Sequence, residues 1–282
     1  MAEFSISTAG SDDIAMLRAW AAQEGWNPGR LDGTAFHAAD PHGFFVGRLG
    51  DEPVASLSAV RYGTDFGFIG FYITRPDLRG QGYGIQVWQH GMKHLDGRNV
   101  GLDGVVDQQD NYRRSGFRLA WNNIRYEGVP AVAGPVPDGV RLVDARTVPF
   151  AELARYDRRF FPAARDAFLS AWIGLPGHTV RVAVDAGGLC GLGVLRPAES
   201  GSRVGPLYAA SPEIAAALLR ELAAVTPGSS VAVDVPDVNA PSVALMEGAG
   251  MSPSFRTARM YTGPEPEVDR PGIFGVSSLE LG

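Results

Sequence analysis

The amino-acid sequence predicts an α/β (α+β) fold in which a mixed, mainly antiparallel sheet flanked by helices is built twice along the chain. Three observations carry that expectation. Strand hairpins precede the helices, a glycine loop joins a buried strand to an amphipathic helix, and the element order repeats across a central Pro/Gly-rich stretch. The bulk properties allow it: 282 residues, 45% hydrophobic and 20% charged, suffice for two cores and carry too little charge for disorder.

In the first half, Asp12 or Asp13 can cap a helix carrying Ile14, Leu17, Arg18 and Trp20, with Gly25 ending it. Phe44–Leu49 and Val54–Val60 then form a hairpin around Gly50 and Asp51. Gly67–Thr74 is nearly all apolar, as expected of a strand near a sheet centre. Ile85, Trp88, Met92 and Leu95 recur at helical spacing. A short strand at Val100–Val106, a helix-like piece and a strand at Asn122–Glu127 complete the half.

Gly128–Gly139 has no amphipathic period and several breakers, so it reads as a linker between domains at 1–129 and 140–282. Beyond it the order repeats. Ala186–Arg196 is a turn followed by a strand, like Gly50–Arg61, and Ala249-Gly250 answers Ser115-Gly116. The interval from Arg61 to Gly116 is 55 residues and that from Arg196 to Gly250 is 54. Matched order with matched spacing argues for an internal duplication against a chance coincidence of turn residues.

Charge and cysteine content exclude several classes. Residues 1–130 carry 15 acidic and 12 basic side chains and residues 131–282 carry 16 and 13, so each half is −3 and the total is −6. Neither half has the basic excess that attracts nucleic acid or an anionic membrane. No apolar run approaches the roughly 18 residues of a membrane span. The start, Met1 to Ser5, lacks the layout of a secretory signal. With Cys190 alone no internal disulfide forms, which fits a reducing, cytoplasmic setting.

The chemistry concentrates in Phe71–Ile85, where a buried strand enters the loop Arg79-Gly80-Gln81-Gly82-Tyr83-Gly84 and the loop opens directly into a helix. The first N–H groups of a helix lack internal partners and carry the positive end of its dipole, and glycines let a phosphate approach them. The alternating Gly80, Gly82 and Gly84 do not match the dinucleotide fingerprint, and no Gly-Lys-Ser/Thr ending makes a P-loop.

Arg-x-x-Gly-x-Gly after a strand, with Pro76 between, resembles the acetyl-CoA-binding motif of the GNAT superfamily of N-acetyltransferases. The resemblance implies that backbone groups of Tyr72, Ile73 and Thr74 pair with the pantetheine arm of acetyl-CoA. It also implies that Arg79, Gly80, Gln81, Gly82, Tyr83, Gly84 and Ile85 hold the pyrophosphate. Downstream, Tyr112-Arg-Arg-Ser-Gly116-Phe117 matches the superfamily's Tyr-x-x-x-Gly-Phe. The tyrosine there commonly protonates the departing thiolate, and a phenol with an ordinary pKa near ~10 stays protonated at neutral pH. Packing against Phe117 is the other reading of Tyr112. The superfamily's cofactor-binding asparagine, expected about two turns earlier, is here replaced by Asn111 directly before the tyrosine.

The implied reaction is direct transfer of an acetyl group to an amine; a non-catalytic sensor or scaffold for coenzyme A thioesters is the alternative. Asp103 and Glu24 are each a candidate base or a structural carboxylate. Trp20, Glu24, Trp26 and Asn27 form either a capped helix end or one wall of an acceptor pocket. Expected partners are a small-molecule or peptide amine, with no nucleic acid and no membrane, for a monomer or homodimer.

The second half repeats the order without the chemistry. Ser211 and Pro212 make an ordinary helix start where a glycine loop would stand. Leu245 stands at the place of Tyr112, so a single cofactor is expected per chain, in the first half. The whole chain resembles tandem GNAT proteins ending in Phe-Gly-Val-x-Ser-x-Glu-Leu-Gly, here Phe274–Gly282. That resemblance implies a second domain used for shape, dimer contacts or closing the acceptor site, with Asp234 and Asn239 facing a pocket. His90 and His94 have metal-pair spacing but no third ligand, and read as a solvated helix face, with no metal. Cys190 reads as a small core residue.

Overall fold

The computed structural model describes residues 3–282; Met1 and Ala2, part of the start read above for a secretory signal, lie outside the described residues. The first half contains β1 (Phe4–Thr8), α1 (Ser11–Gln23), α2 (Asp32–Ala39), β2 (Phe44–Leu49), β3 (Glu52–Tyr62), β4 (Phe66–Thr74), α3 (Tyr83–His94), β5 (Asn99–Val105), α4 (Gln109–Arg114) and β6 (Arg118–Gly128). The second contains β7 (Arg141–Asp144), α5 (Phe150–Asp157), α6 (Asp166–Gly174), β8 (Thr179–Asp185), β9 (Gly188–Pro197), β10 (Ser202–Ala209), α7 (Pro212–Ala223), β11 (Val231–Pro236), α8 (Ala240–Gly248) and β12 (Ser252–Tyr261). A short strand, β13 (Ile273–Gly275), follows. The two halves run through the same order of strands and helices up to β12. Between them, residues 129–140 hold no helix or strand.

The thirteen strands among the described residues belong to one sheet, in the order β1-β2-β3-β4-β5-β12-β6-β11-β10-β9-β8-β7, with β13 beside β10. The halves exchange their last strands. β12 pairs with β5 of the first half, from Thr257↔Val105 to Tyr261↔Gly101. β6 in turn pairs with β11 of the second, from Val231↔Gly128 to Pro236↔Asn123. The cores are shared accordingly. Ala258 and Met260 of β12 complete a cluster with Leu57, Ile69, Trp88 and Tyr112. Ile124 and Tyr126 of β6 complete one with Leu218, Val233, Met246 and Phe274. On the opposite face of the sheet, Leu17, Phe36, Phe68, Trp172, Tyr208 and Leu281 from both halves form a third, continuous cluster. Alternation along a strand sends neighbours to opposite faces, so β12 serves two clusters at once.

Two local expectations are corrected. Helix α1 is capped at Gly10, and Asp13 acts from inside the first turn, its Oδ2 accepting from Gly10 N at 3.0 Å. Helix α3 buries Gly84, Val87, Trp88 and Gly91, whereas Ile85 is 48% exposed. Gly91 defines that face because α3 lies directly on Leu57 there. Helix α2 lacks a side-chain cap and a clear apolar period; it is held by packing, with Phe36 stacked on Phe168 and Trp172 of α6. No helix among the described residues is long and apolar enough to cross a membrane.

Candidate active site

Strands β4 and β5 pair in parallel only from Phe66↔Asn99 to Ile69↔Leu102 and then part. The β3–β4 register shifts between Ser56 and Ser58 at a bulge where Phe71 takes a φ of +46°. Ser56 Oγ donates to the Phe71 carbonyl at 2.8 Å, which holds this strained residue in place. A cavity of about 580 Å³ occupies the gap, bounded by Ile69–Thr74 on one arm and Leu102–Val105 on the other.

The glycine loop sits at the mouth. Gly80 and Gly82 have φ of +78° and +86°, left-handed values that suit glycine, and Gly82 is the N-cap of α3 with no side-chain cap. A Cβ on Gly84 would lie 2.5 Å from Thr74 Oγ1 and 3.0 Å from Tyr72 Oη, so only glycine lets α3 start this close to β4. The uncapped N–H groups of α3 therefore open toward the cavity, as a diphosphate requires. Arg79 Nε donates to the Thr74 carbonyl at 3.0 Å and its Nη2 pairs with Glu24. Gln81 points away from the cavity, its side chain reaching the Asp77 carbonyl at 3.4 Å.

Tyr112 lines the β5 arm. Its ring stacks on Trp88 at 5.6 Å and fills the space a side chain at Gly104 would take. Burial, with Tyr72 alongside, pushes its phenol pKa well above the ordinary value. The counterpart of Tyr112 is Met246, a correction to Leu245. Phe117 N donates to the Tyr112 carbonyl at 3.1 Å, and Met251 N donates to the Met246 carbonyl at the same distance. Met246 likewise has no hydroxyl. Asn111 does not reach the cavity; its amide donates to Gln108 Oε1 at 2.6 Å, and Gln108 lines the cavity instead.

The opposite face of the gap is built by residues far apart in the chain. Asp103 lines it with a side chain 0% exposed, accepting from Arg259 Nε and Nη2 at 2.8 and 2.6 Å and from Asn123 Nδ2 at 2.7 Å. Burial pushes its carboxyl up, and the Arg259 guanidinium opposes that. Glu24 and Trp26 also line the cavity. Trp20 packs against the shared core, and Asn27 exchanges two hydrogen bonds with Ser200 of the second half, at 3.0 and 2.9 Å. Phe255, Thr257, Leu279 and Glu280 of the second half complete the lining. Phe255 and Thr257 carry no local signal in the sequence; Leu279 and Glu280 lie within the terminal motif Phe274–Gly282, whose glutamate is Glu280, but the motif did not assign them to this site.

A profile described as "Acetyltransferase (GNAT) family" matches residues 12–117, and one described as "Acetyltransferase (GNAT) domain" matches residues 153–275. A holothin acyltransferase from Pseudoalteromonas sp. (strain SANK 73390) is 33% identical over 275 residues, covering 97% of this chain and 93% of the relative. The chain belongs to the GNAT acetyltransferase family. It is an acyltransferase of tandem type, and GNAT proteins draw their acyl groups from acyl-coenzyme A. Solved structures share the fold. One from Pyrococcus horikoshii superposes with a TM-score of 0.81 at 22% identity over 99% of this chain and 96% of the other. A tandem GNAT protein from the clavulanic acid biosynthesis pathway gives 0.65 at 16%, over 93% and 100%.

In the second GNAT repeat the corresponding gap is occupied by the chain itself. Strands β10 and β11 pair from Ser202↔Val231 to Val204↔Val233 and then part, as β4 and β5 do. Here β13 enters beside β10, with Leu207↔Gly275 and Tyr208↔Ile273, and Val276 N donates to the Asp234 carbonyl at 2.9 Å. Helix α7 is capped by Ser211, whose hydroxyl accepts from Ile214 N at 3.4 Å. Asp234 is buried in ion pairs with Arg125 and Arg203: burial raises its pKa, but the two guanidinium groups more than offset that and hold it well below the carboxylate range. Asn239 caps α8 through Ser242 N at 3.4 Å and borders a separate surface hollow with Pro241 and Arg270.

Proposed function

We propose that this GNAT acyltransferase moves an acetyl group from acetyl-CoA directly to an amine, using one donor site per chain. That site belongs to a domain spanning 1–129, while a second GNAT-like domain at 140–282 holds no cofactor. The observation that carries the reading is the open gap between β4 and β5, which leads from the uncapped start of α3 past Tyr112. Bound acetyl-CoA supplies the thioester carbonyl that an amine attacks and the thiol that departs.

The chain's own groups do the rest. Backbone N–H groups of Gly80–Ile85 and the Arg79 side chain hold the pyrophosphate, with Arg79 turning from Glu24 to do so. Tyr72–Thr74, free of a β5 partner, offer backbone pairing to the pantetheine amides. Tyr112 holds a proton for the departing sulfur. A small-molecule acceptor is favoured by the relative named for holothin, which belongs in any acceptor panel.

Tyr112→Phe is expected to lower turnover by about 100-fold with coenzyme A affinity unchanged, measured by thiol release and calorimetry. Because burial raises the Tyr112 pKa, its acid form dominates up to and beyond pH ~10, so turnover should not fall through that range from loss of the phenolic proton. The engagement of Asp103 by Arg259 favours a second reading, a sensor of coenzyme A thioesters. Tight coenzyme A binding without turnover of any amine would support the sensor.

A further inference from the structure

The acid face of the gap has a proton donor, but Asp103, the base candidate on the strand, is engaged by Arg259 and Asn123. One buried carboxylate in the lining has an oxygen left over. Glu280 is 3% exposed, its Oε1 lies 3.6 Å from Arg203 Nη1, and its Oε2 accepts no hydrogen bond. A buried carboxylate oxygen without a donor is costly, and a ligand N–H is the natural group to satisfy it.

Its place in the sheet is specific. The Glu280 carbonyl lies against Gly70, the first β4 residue beyond the last paired position, Ile69. Glu280 therefore stands at the apex of the gap, about 13 Å along β4 from Thr74 at the mouth. Its neighbours Leu279 and Leu281 belong to the core with Phe68 and Phe71 on one face of the sheet. Tyr112 belongs to the core with Ile69 and Trp88 on the other. A donor entering over α3 and an acceptor entering from the opposite face would meet between them. The segment is rigidly held: Tyr62 Oη donates to the Leu281 carbonyl, Leu281 N to Ser278 Oγ and Arg165 Nη1 to the Gly282 carbonyl, each at 3.0 Å.

We propose that Glu280 is the catalytic residue that takes the proton from the acceptor amine, so that the terminal segment of the second repeat completes the active site of the first. The proposal rests on the amine-acyl transfer read above. As the amine nitrogen bonds to the acyl carbon and the carbon–sulfur bond breaks, Glu280 Oε2 receives the N–H proton and Tyr112 gives one to sulfur. Solvent then returns both residues to their starting states. Trp26, Phe71 and Phe255 line the same cavity, so the fitting acceptor is a compact amine on an aromatic or apolar body.

The test uses the full chain, acetyl-CoA and a panel of small primary amines that includes benzylamine. Glu280→Gln keeps the shape and cannot take the proton. It should lower kcat by about 100-fold or more while coenzyme A affinity and thermal midpoint stay at wild type. Calorimetric titration of benzylamine into coenzyme-A-loaded protein should weaken at least tenfold in the same variant. Should that variant not fold, Glu280→Asp keeps the charge toward Arg203 but withdraws the carboxylate by one methylene; kcat should fall at least tenfold. A kcat within threefold of wild type in the folded variant, or equal benzylamine heats, overturns the assignment of Glu280 and leaves acyl transfer standing. Wild-type protein that binds coenzyme A yet turns over no amine overturns both.

Discussion

The chain contains the same opening twice, between β4 and β5 and between β10 and β11, and treats the two oppositely. In each, a parallel pair runs in register for three or four residues and then splays. The first opening keeps a cavity, with a glycine-capped helix at its mouth and a tyrosine across it. The second is filled by β13, its helix closed by Ser211 and its tyrosine replaced by Met246. A splayed parallel pair exposes unpaired backbone groups, and something must satisfy them. In one repeat a segment of the chain does so permanently; in the other the groups stay available to a ligand. The plug also serves the open site, because the chain that leaves β13 runs on to place Leu279 and Glu280 in the first cavity.

The contrast can be broken most forcefully at Phe274, which is 1% exposed in the plug. Phe274→Ala should cost about 3–5 kcal/mol in denaturant unfolding, without creating a second equivalent of coenzyme A binding. A second equivalent would mean that the plug alone, and not the missing glycine loop, sets the two repeats apart in coenzyme A binding. At the open end, Gly84→Val places a side chain against Thr74 and Tyr72. Coenzyme A affinity should drop at least tenfold, about 1.4 kcal/mol, and the thermal midpoint should fall too, because the added side chain must push α3 from β4 at a cost of about 1–3 kcal/mol. The smallest effect belongs to Ser211→Ala, which removes the α7 cap for about 1 kcal/mol of stability. Turnover at a temperature well below the transition should be unaffected if, as proposed, the donor is held only in the first repeat.

Much of the first repeat was legible because its signals are local. β2 has the bounds its apolar run suggested, and the glycine loop lies between strand and helix as its residues required. The expected residues Tyr72, Ile73, Thr74, Arg79, Gly80, Gly82, Tyr83, Gly84 and Ile85 all line the cavity, as do Asp103 and Tyr112. The misplacements have physical causes. Ile85 fits a helical period, but the flush packing of Gly91 on Leu57 rotates the buried face away from it. Asn111 and Trp20 are polar and aromatic in suggestive places, yet local hydrogen bonding takes one and the core takes the other. The places of Phe255, Thr257 and Glu280 in the site were not visible, although Glu280 stands in the terminal motif, because they meet β4 and β5 from about 150 to 210 residues away in the chain.

By itself the sequence determined what depends on neighbours along the chain. That includes the alternation and apolar runs of the strands, the left-handed glycines that free the start of α3, and the spacing of Tyr112 from Gly116. It also carried the repeat, since duplicated spacing needs no contacts to be seen. Tertiary structure alone decided the exchange of β6 and β12, the plug at β13 and the arrival of Glu280 beside Gly70. Strand pairing and burial are made between residues remote in sequence, and register is chosen by the faces that must be buried. The halves read as a tandem of two domains, yet each completes its sheet with a strand of the other. For that reason the open site is built from both.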